Sequence, residues 1–495
     1  MIRYTSESQL TIEGFDTPFN NSLSADNRWV MLSKVVNWDK FSTLYIKMMN
    51  ADFGRPGVSP RIVLGALIIK HQEKLDDRGV IEAIQENPYM QFFIGLKAFT
   101  TKRAFDPSLF VQIRKRVGVA IFDELTVDLI QSISPKKEIE KDDQGNDLPP
   151  KNKGKLQADA TVADQKIAYP TDSNVLNSSR KKCELLIDKL YELKGKSGVK
   201  PRTYRKELDK SFLNYSKKKR KPTSAHRKMN RKLLEAMKRD LSHINKMLDS
   251  FSTFPLSHKE QRMLWVVTTA YIQQKEMYDT KTKSCKHRIV CIHQPHVRPI
   301  PRGKAKSQVE FGSKLGVSLD NGFARIDTFS WEAYSEGKDL IKHIENYKIV
   351  HHCYPELVQV DKAYSTKENR DYLKAKGIRI TAPALGRRPK LEKTAYQKRK
   401  HKKEAAERNH IEGKFGQGKN GYQLNQIRAK LVTTSQSWVA AIFFIMNLIN
   451  FQKKVCLSLF LAEIRSVYND SCRFLTLLEN ILFGKNISWI IIQEK

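Results

Sequence analysis

The chain has 495 residues, 40% of them hydrophobic, enough for roughly two to four domains with cores of their own. Its 88 Lys and Arg outnumber 53 Asp and Glu, for a net charge of +35, and a field of that size favours a polyanionic partner, nucleic acid before an anionic membrane surface. A membrane span is disfavoured: the apolar run Trp438–Phe451 contains Asn447 and Asn450 and falls short of the ~20 residues a bilayer requires, and the N-terminus Met-Ile-Arg-Tyr-Thr-Ser-Glu has no apolar leader region.

Residues 1–133 read as helical. Ser59-Pro60 is a helix start, followed by the wide apolar face Ile62, Leu64, Leu67, Ile68 and Ile69. A break at Asp76-Asp77 and a new start at Asn87-Pro88 give the outline of a helix-turn-helix DNA reader, which any small helical bundle also presents. Asp106-Pro107 precedes a further helix carrying Arg114, Lys115 and Arg116. Residues 134–155, with Pro135, Gly145, Pro149, Pro150 and dense mixed charge, are read as a linker.

Leu156–Ala163 is then a short β-type run with Asp159 in its middle, a residue that strand propensity disfavours unless it faces solvent or has a task. Residues 173–255 are read as a basic helical insertion. Within it, residues 180–246 hold 23 Lys or Arg against 7 Asp or Glu (23 − 7 = +16), including the run Lys217–Lys221, on helices whose leucines recur at helical spacing. Such a surface suits phosphate tracking without sequence readout. After a helix over Leu264–Tyr278, strands are expected at His287–His293, Val309–Leu319 and Gly322–Phe329, the last two joined by the hairpin signal Asn321-Gly322. Cys285, His287, Cys291 and His293 have a spacing that could suggest zinc, but the alternating, β-rich run they occupy argues for a half-buried strand, and no zinc is assigned. The six cysteines include no Cys-x-x-Cys pair, which fits a reducing cytosol. A helix over Gly337–His351, a strand Leu357–Asp361 ending in an acid, a helix over Thr366–Lys376, a strand Ile378–Thr381 and a long helix Leu391–Phe415 complete an α/β order. Residues 453–495 have no assigned role.

Three acids therefore fall at comparable places: Asp159 on the first strand, Asp361 at the end of a later one, Glu412 on the long helix. Arg408, Glu412 and Lys419, spaced by four and seven, would share a helix face unless Gly413, Gly416 and Gly418 end the helix first. Together with Tyr169-Pro-Thr-Asp172, Arg302-Gly-Lys304, Glu310-Phe-Gly-Ser-Lys314 and Val360-Asp-Lys-Ala-Tyr364, these motifs resemble, over residues 40–450, the DDE insertion-sequence transposases. The departure is Ala405, where relatives often carry Tyr. The resemblance implies an all-α N-terminal DNA-binding domain and a ribonuclease H-like mixed sheet over 156–172 and 256–452, with the helical insertion after its first strand. It implies Asp159, Asp361 and Glu412 as catalytic ligands of two Mg²⁺ ions, for which Mn²⁺ can substitute, without Cys or His ligands. Arg408 and Lys419 would hold phosphates, and Arg387, Arg388, Lys390, Lys400 and Lys402 would contact double-stranded DNA. The implied function is cleavage of insertion-sequence ends and strand transfer to target DNA, by a homo-oligomer such as a dimer, in the cytoplasm at the nucleoid. A ribonuclease H-like nuclease that never joins and a domesticated, non-catalytic DNA-binding protein remain alternatives. Asp320 and Asp327 could stand in for Asp361, and Glu336 for Glu412; Trp331 could pack in a core or stack on a base.

Overall fold

The computed structural model describes residues 15–17, 22–49, 57–133, 151–301, 309–383, 385–386 and 394–483. The chain divides into two compact units, one of Met1–Pro107, Glu124–Lys136 and Phe444–Lys495, the other of Ser108–Asp123 and Lys137–Phe443.

The first unit is helical where it is described. It contains α1 (Arg28–Val35), α2 (Trp38–Ile46), α3 (Pro60–Gln72), α4 (Gly79–Glu86) and α5 (Pro88–Phe93). Ser59 stands at the α3 N-cap and Pro60 opens the helix, as its sequence predicts, although the Ser59 side chain makes no cap bond. The break before α4 is closed by Asp76, whose Oδ1 accepts from the backbone N–H of Gly79 at 2.7 Å. Asn87 caps α5 in the same way, through Tyr89 and Met90. Not all of this unit's cations face outward: Arg61 is buried, donating to the Phe93 carbonyl at 3.2 Å and lying 4.7 Å over the Trp38 ring.

The second unit opens with α6 (Leu109–Arg116), and α7 (Val119–Ile133) carries the chain from this unit back to the first. Arg114 is buried over the rings of Phe110 and Trp438, so of the three cations expected on that helix only Lys115 is exposed. The sheet begins with β1 (Lys155–Asp164). Four helices follow, α8 (Asp172–Leu193), α9 (Arg205–Lys217), α10 (Thr223–Leu248) and α11 (His258–Thr280), before β2 (Arg298–Pro301), β3 (Val309–Asp320) and β4 (Phe323–Ser330). Then come α12 (Leu340–His351), β5 (Leu357–Gln359), α13 (Lys367–Ala375), β6 (Arg379–Ile380), α14 (Ala395–Gly416) and α15 (Val432–Phe483), which from Phe444 onward belongs to the first unit. The strands form one mixed sheet in the order β2-β3-β1-β5-β6, with β4 also on β3. β1 lies antiparallel to β3 and parallel to β5, and the unit is mixed α/β. Asn321 and Gly322 both have positive φ, 48° and 82°, the two-residue turn their sequence predicts between β3 and β4.

Three readings of the sequence need correction. His287–His293 is not a strand. The Gln273 side chain on α11 accepts from Ile289 N and donates to the Lys286 and His287 carbonyls, while Ile289 and Ile292 pack on Val175, Val266 and Ala270. The apolar residues of the run are buried, but Ile289 and Val290 are buried side by side rather than in alternation, and a helix side chain, not a neighbouring strand, bonds the backbone. The helical insertion extends past residue 255, because Val267 of α11 shares the core of Leu186, Leu190, Leu233 and Met237 on α8 and α10. The apolar run near the C-terminus is longer than Trp438–Phe451: Val432–Ser458 is long and apolar enough to cross a membrane by length and composition, and 78% of its most apolar window is buried in the protein, as in a core helix.

Candidate active site

The polar face of the sheet is set by side-chain alternation on β1 and β5. Leu156, Ala158, Val358 and Val360 point into a core shared with Leu340, Ile344 and Tyr364. The residues between them, Gln157, Asp159, Gln359 and Asp361, take the other face. The parallel register pairs Gln157 with Gln359, an offset of 359 − 157 = 202. The same offset separates Asp159 and Asp361, and Asp361 keeps an extended backbone (φ −75°, ψ 168°) just beyond β5. Continuing that register by two residues would set the two aspartates level, about 4.8 Å apart as neighbouring strands are, with Asp361 just past the last paired residue of β5.

On that face, α14 meets the strands through main-chain carbonyls. Gln157 Nε2 donates to the Glu407 carbonyl at 2.8 Å and to Gln359 Oε1 at 2.9 Å. Gln359 Nε2 donates to the Glu404 carbonyl at 2.9 Å and to Glu407 Oε2 at 3.1 Å. Lys155 closes on Glu407 Oε2 at 2.7 Å. Next to Glu407 and one helical turn past Glu404, Arg408 reaches both acids: its Nη2 is 3.2 Å from Glu412 Oε1 and its Nη1 is 3.9 Å from Asp159 Oδ2. Glu412 is 56% exposed and Asp159 18%. Burial pushes the Asp159 carboxyl up to about 6; the Ala160 N–H and Arg408 pull it down, while Glu336 and Glu412 push it further up. Asp361 is exposed, and its Oδ1 accepts from the Lys362 N–H at 2.6 Å.

Carboxylate oxygens such as those of Asp159 and Glu412 are the donor type a hard divalent cation takes, while Glu336, which acts on Asp159 through its charge, is itself paired with Lys314. Arg408 stands between Asp159 and Glu412 in this arrangement, and among the described residues no three His, Cys, Asp or Glu side chains form a ready-made metal cage.

Lys419 pairs with neither Glu412 nor Asp159 but with Glu310. The glycines do not end α14 early: the helix continues through Gly413 to Gly416 and passes into a wider π turn, Gln417–Gly421, which takes the Lys419 amine to Glu310 on β3 at 3.2 Å. Lys400 and Lys402 lie exposed on the first half of α14, whereas Arg387, Arg388, Lys390 and the Arg302–Lys304 motif lie outside the described residues. The competing acids separate cleanly. Asp327 is buried, accepting from His343 Nδ1 at 2.6 Å and Asn346 Nδ2 at 2.7 Å, and Asp320 lies 2.8 Å from His351 Nε2, so both tie the β3–β4 hairpin to α12. Glu336 instead pairs with Lys314 at 2.9 Å and acts on Asp159 electrostatically. Trp331 packs edge-on against His296, ring centroids 4.4 Å apart, and against Phe329. The two glutamines were missed in the sequence, although a signal was present: Gln-Ala-Asp159 and Gln-Val-Asp361 repeat one tripeptide pattern on two strands.

Comparison with known proteins places residues 358–449 in the family described as "Transposase DDE domain" and residues 18–116 in the family "Transposase domain (DUF772)". The first match spans Asp361, Arg408, Glu412 and Lys419 and leaves Asp159 outside it. A Rhizobium meliloti protein described as "Uncharacterized protein ORF8 in nfe locus" is 32% identical over 146 residues, 30% of this chain and 66% of that protein. No solved structure matches.

Proposed function

We propose that the chain is a transposase of the DDE type, in line with its two transposase-family matches, that binds the ends of its own mobile element, cuts them and joins them to target DNA. The observation that carries this reading is the meeting of Asp159, Arg408 and Glu412, with Asp361 two residues past the end of the strand that pairs with β1. We read the mixed sheet, with its polar face under α14, as ribonuclease H-like, the insertion α8–α11 following its first strand. Asp159, Asp361 and Glu412 would hold two Mg²⁺ ions, or Mn²⁺ in their place. When bound, such ions supply Lewis-acid stabilisation of the attacking and leaving oxygens of a phosphodiester.

The chain's own residues supply the rest. Arg408, planar and permanently charged, is suited to carry a phosphate oxygen beside the acids it already touches. The exposed cations at the start of α14, Lys400 and Lys402 among them, extend the positive track away from the acids, and Arg387, Arg388 and Lys390 would lengthen it. Lys419 would join the track once its pairing with Glu310 is exchanged for phosphate. The N-terminal helical unit would recognise the ends and the basic insertion would follow the backbone, with two copies of the chain bringing two ends together in the cytoplasm.

The test uses full-length protein, Mg²⁺ and labelled duplexes drawn from the DNA flanking the reading frame. Cleavage at the ends, and joining of pre-cleaved 3′ ends to a plasmid, are expected. Products cut but never joined would reduce the protein to a nuclease. Asp361→Ala is expected to abolish cleavage with end binding kept within a few-fold; binding without any cleavage by the wild type would leave a DNA-binding protein.

A further inference from the structure

We propose that Gln157 and Gln359 are positioning residues of this site: a paired amide clamp that sets the register of α14 against β1 and β5 and so delivers Arg408 and Glu412 to Asp159. The inference rests on the proposed role of those acids and arginine, and it concerns two residues with no acid, base or charge of their own.

Apolar packing is a weak guide for this helix. Of the 22 residues of α14 only Ile411 and Phe415 are buried, both late in the helix, and the rest of its surface is largely charged. Before Ile411, nothing apolar distinguishes one rotation of the helix from the next. Rotating α14 by one residue turns its side chains by about 100°, enough to take Arg408 away from Asp159.

The glutamines supply what is missing. Gln359 is fully buried and Gln157 is 8% exposed. All four of their amide hydrogens are committed: two to main-chain carbonyls of Glu404 and Glu407, one to the Glu407 carboxylate, one from glutamine to glutamine. Main-chain acceptors three residues apart define both the height and the rotation of a helix, whatever side chains it carries. Each glutamine lies two residues before an aspartate, Asp159 within β1 and Asp361 in the extended backbone just past β5, the spacing that returns side chains to one face. The clamp and the acids are thus two consecutive layers of one surface, one helical turn apart. Each clamped carbonyl retains its place in the helix, so loss of an amide leaves no unmade helical bond behind.

The test compares full-length wild type with Gln157→Met and Gln359→Met, which keep shape and remove the donors. Three readouts are taken: kcat and KM for end cleavage, Tm, and Mn²⁺ affinity by electron paramagnetic resonance of the free ion. The expected result is a fall in kcat of tenfold or more and a severalfold weaker Mn²⁺ affinity, with KM for DNA within threefold and Tm lowered by a few degrees at most. Wild-type kcat and Mn²⁺ affinity in both variants would overturn the clamp. So would loss of the folded state, or of DNA binding in step with kcat, because that marks a merely structural pair. A wild type that cuts no DNA while both variants still weaken Mn²⁺ binding would sink the transposase reading and leave the clamp standing.

Discussion

Arg408 stands between two acids, Asp159 and Glu412, and its loss is expected to be felt more in chemistry than in folding. A lysine cannot span two carboxylates as a guanidinium fork does, so Arg408→Lys should lower end cleavage by roughly tenfold or more with little change in end binding, read from single-turnover cutting of a labelled duplex. The raised Asp159 carboxyl has its own consequence. Because it is protonated below about pH 6, a divalent ion must displace its proton there, and Mn²⁺ affinity should fall as pH drops through that value. Calorimetry in buffers of different ionisation enthalpy would show proton release on binding below pH 6 and little above pH 7; proton-free binding at pH 5 would exclude Asp159 as a ligand. Asp327 behaves in the opposite sense. Burial works to raise its carboxyl, but the hydrogen bond and charge of His343, with Ser318 and Arg325, hold it below the usual range. A lowered carboxylate contributes stability that is complete above its unfolded value of about 3.9 and is lost as pH falls through the folded value. Asp327→Asn should therefore lower Tm at neutral pH and flatten the acid limb of a Tm against pH curve below about pH 4.

Elements of this protein are held as much by buried polar groups as by apolar faces. In the insertion, the buried Arg180 of α8 bonds Asn177 at 2.9 Å, pairs with Glu184, and reaches Asp209 of α9 at 2.6 Å. Removing the cation strands Glu184, whose carboxyl burial already pushes up. Arg180→Ala is expected to destabilise the insertion by about 3–5 kcal/mol, measured by urea unfolding, whereas trading a comparably charged surface pair such as Lys275 and Asp279 should change little. On β3, Gly316 marks another constraint: a Cβ there would lie 2.5 Å from Asp339 Oδ2 and 3.0 Å from Tyr334 Oη. Here the sequence was readable only in part. Asn321-Gly322, Ser59-Pro60 and Asn87-Pro88 announce their turns and helix starts because the chemistry is local, whereas nothing local at Gly316 reveals which side chains close over it.

For the whole molecule, the charge of +35 should dominate equilibrium DNA binding. Affinity is expected to fall steeply with salt, and replacing Lys217, Lys218, Lys219, Arg220 and Lys221 by Ala should reduce the slope of log K against log salt by up to roughly 0.9 for each cation that meets a phosphate. The loss should be the same for end and unrelated duplexes; a selective loss on ends would mean that this run reads sequence.

Composition, periodicity and punctuation in the chain pointed to a polyanionic partner, the helical first unit and most of the order of strands and helices around the insertion, and motif resemblance singled out the three candidate acids with Arg408. These are properties of a residue and its near neighbours, and near neighbours are what a sequence displays. Pairing between distant segments decided the remainder. The register of β1 on β5 brought Gln157 beside Gln359 across 202 residues and turned two unremarked glutamines into ligands of α14. The same packing drew Asp320 and Asp327 to the histidines of α12, Glu336 toward Asp159, and Lys419 to Glu310. A buried polar group takes whichever partner the fold brings within about 3 Å, and the choice among partners is made only when the elements close on one another.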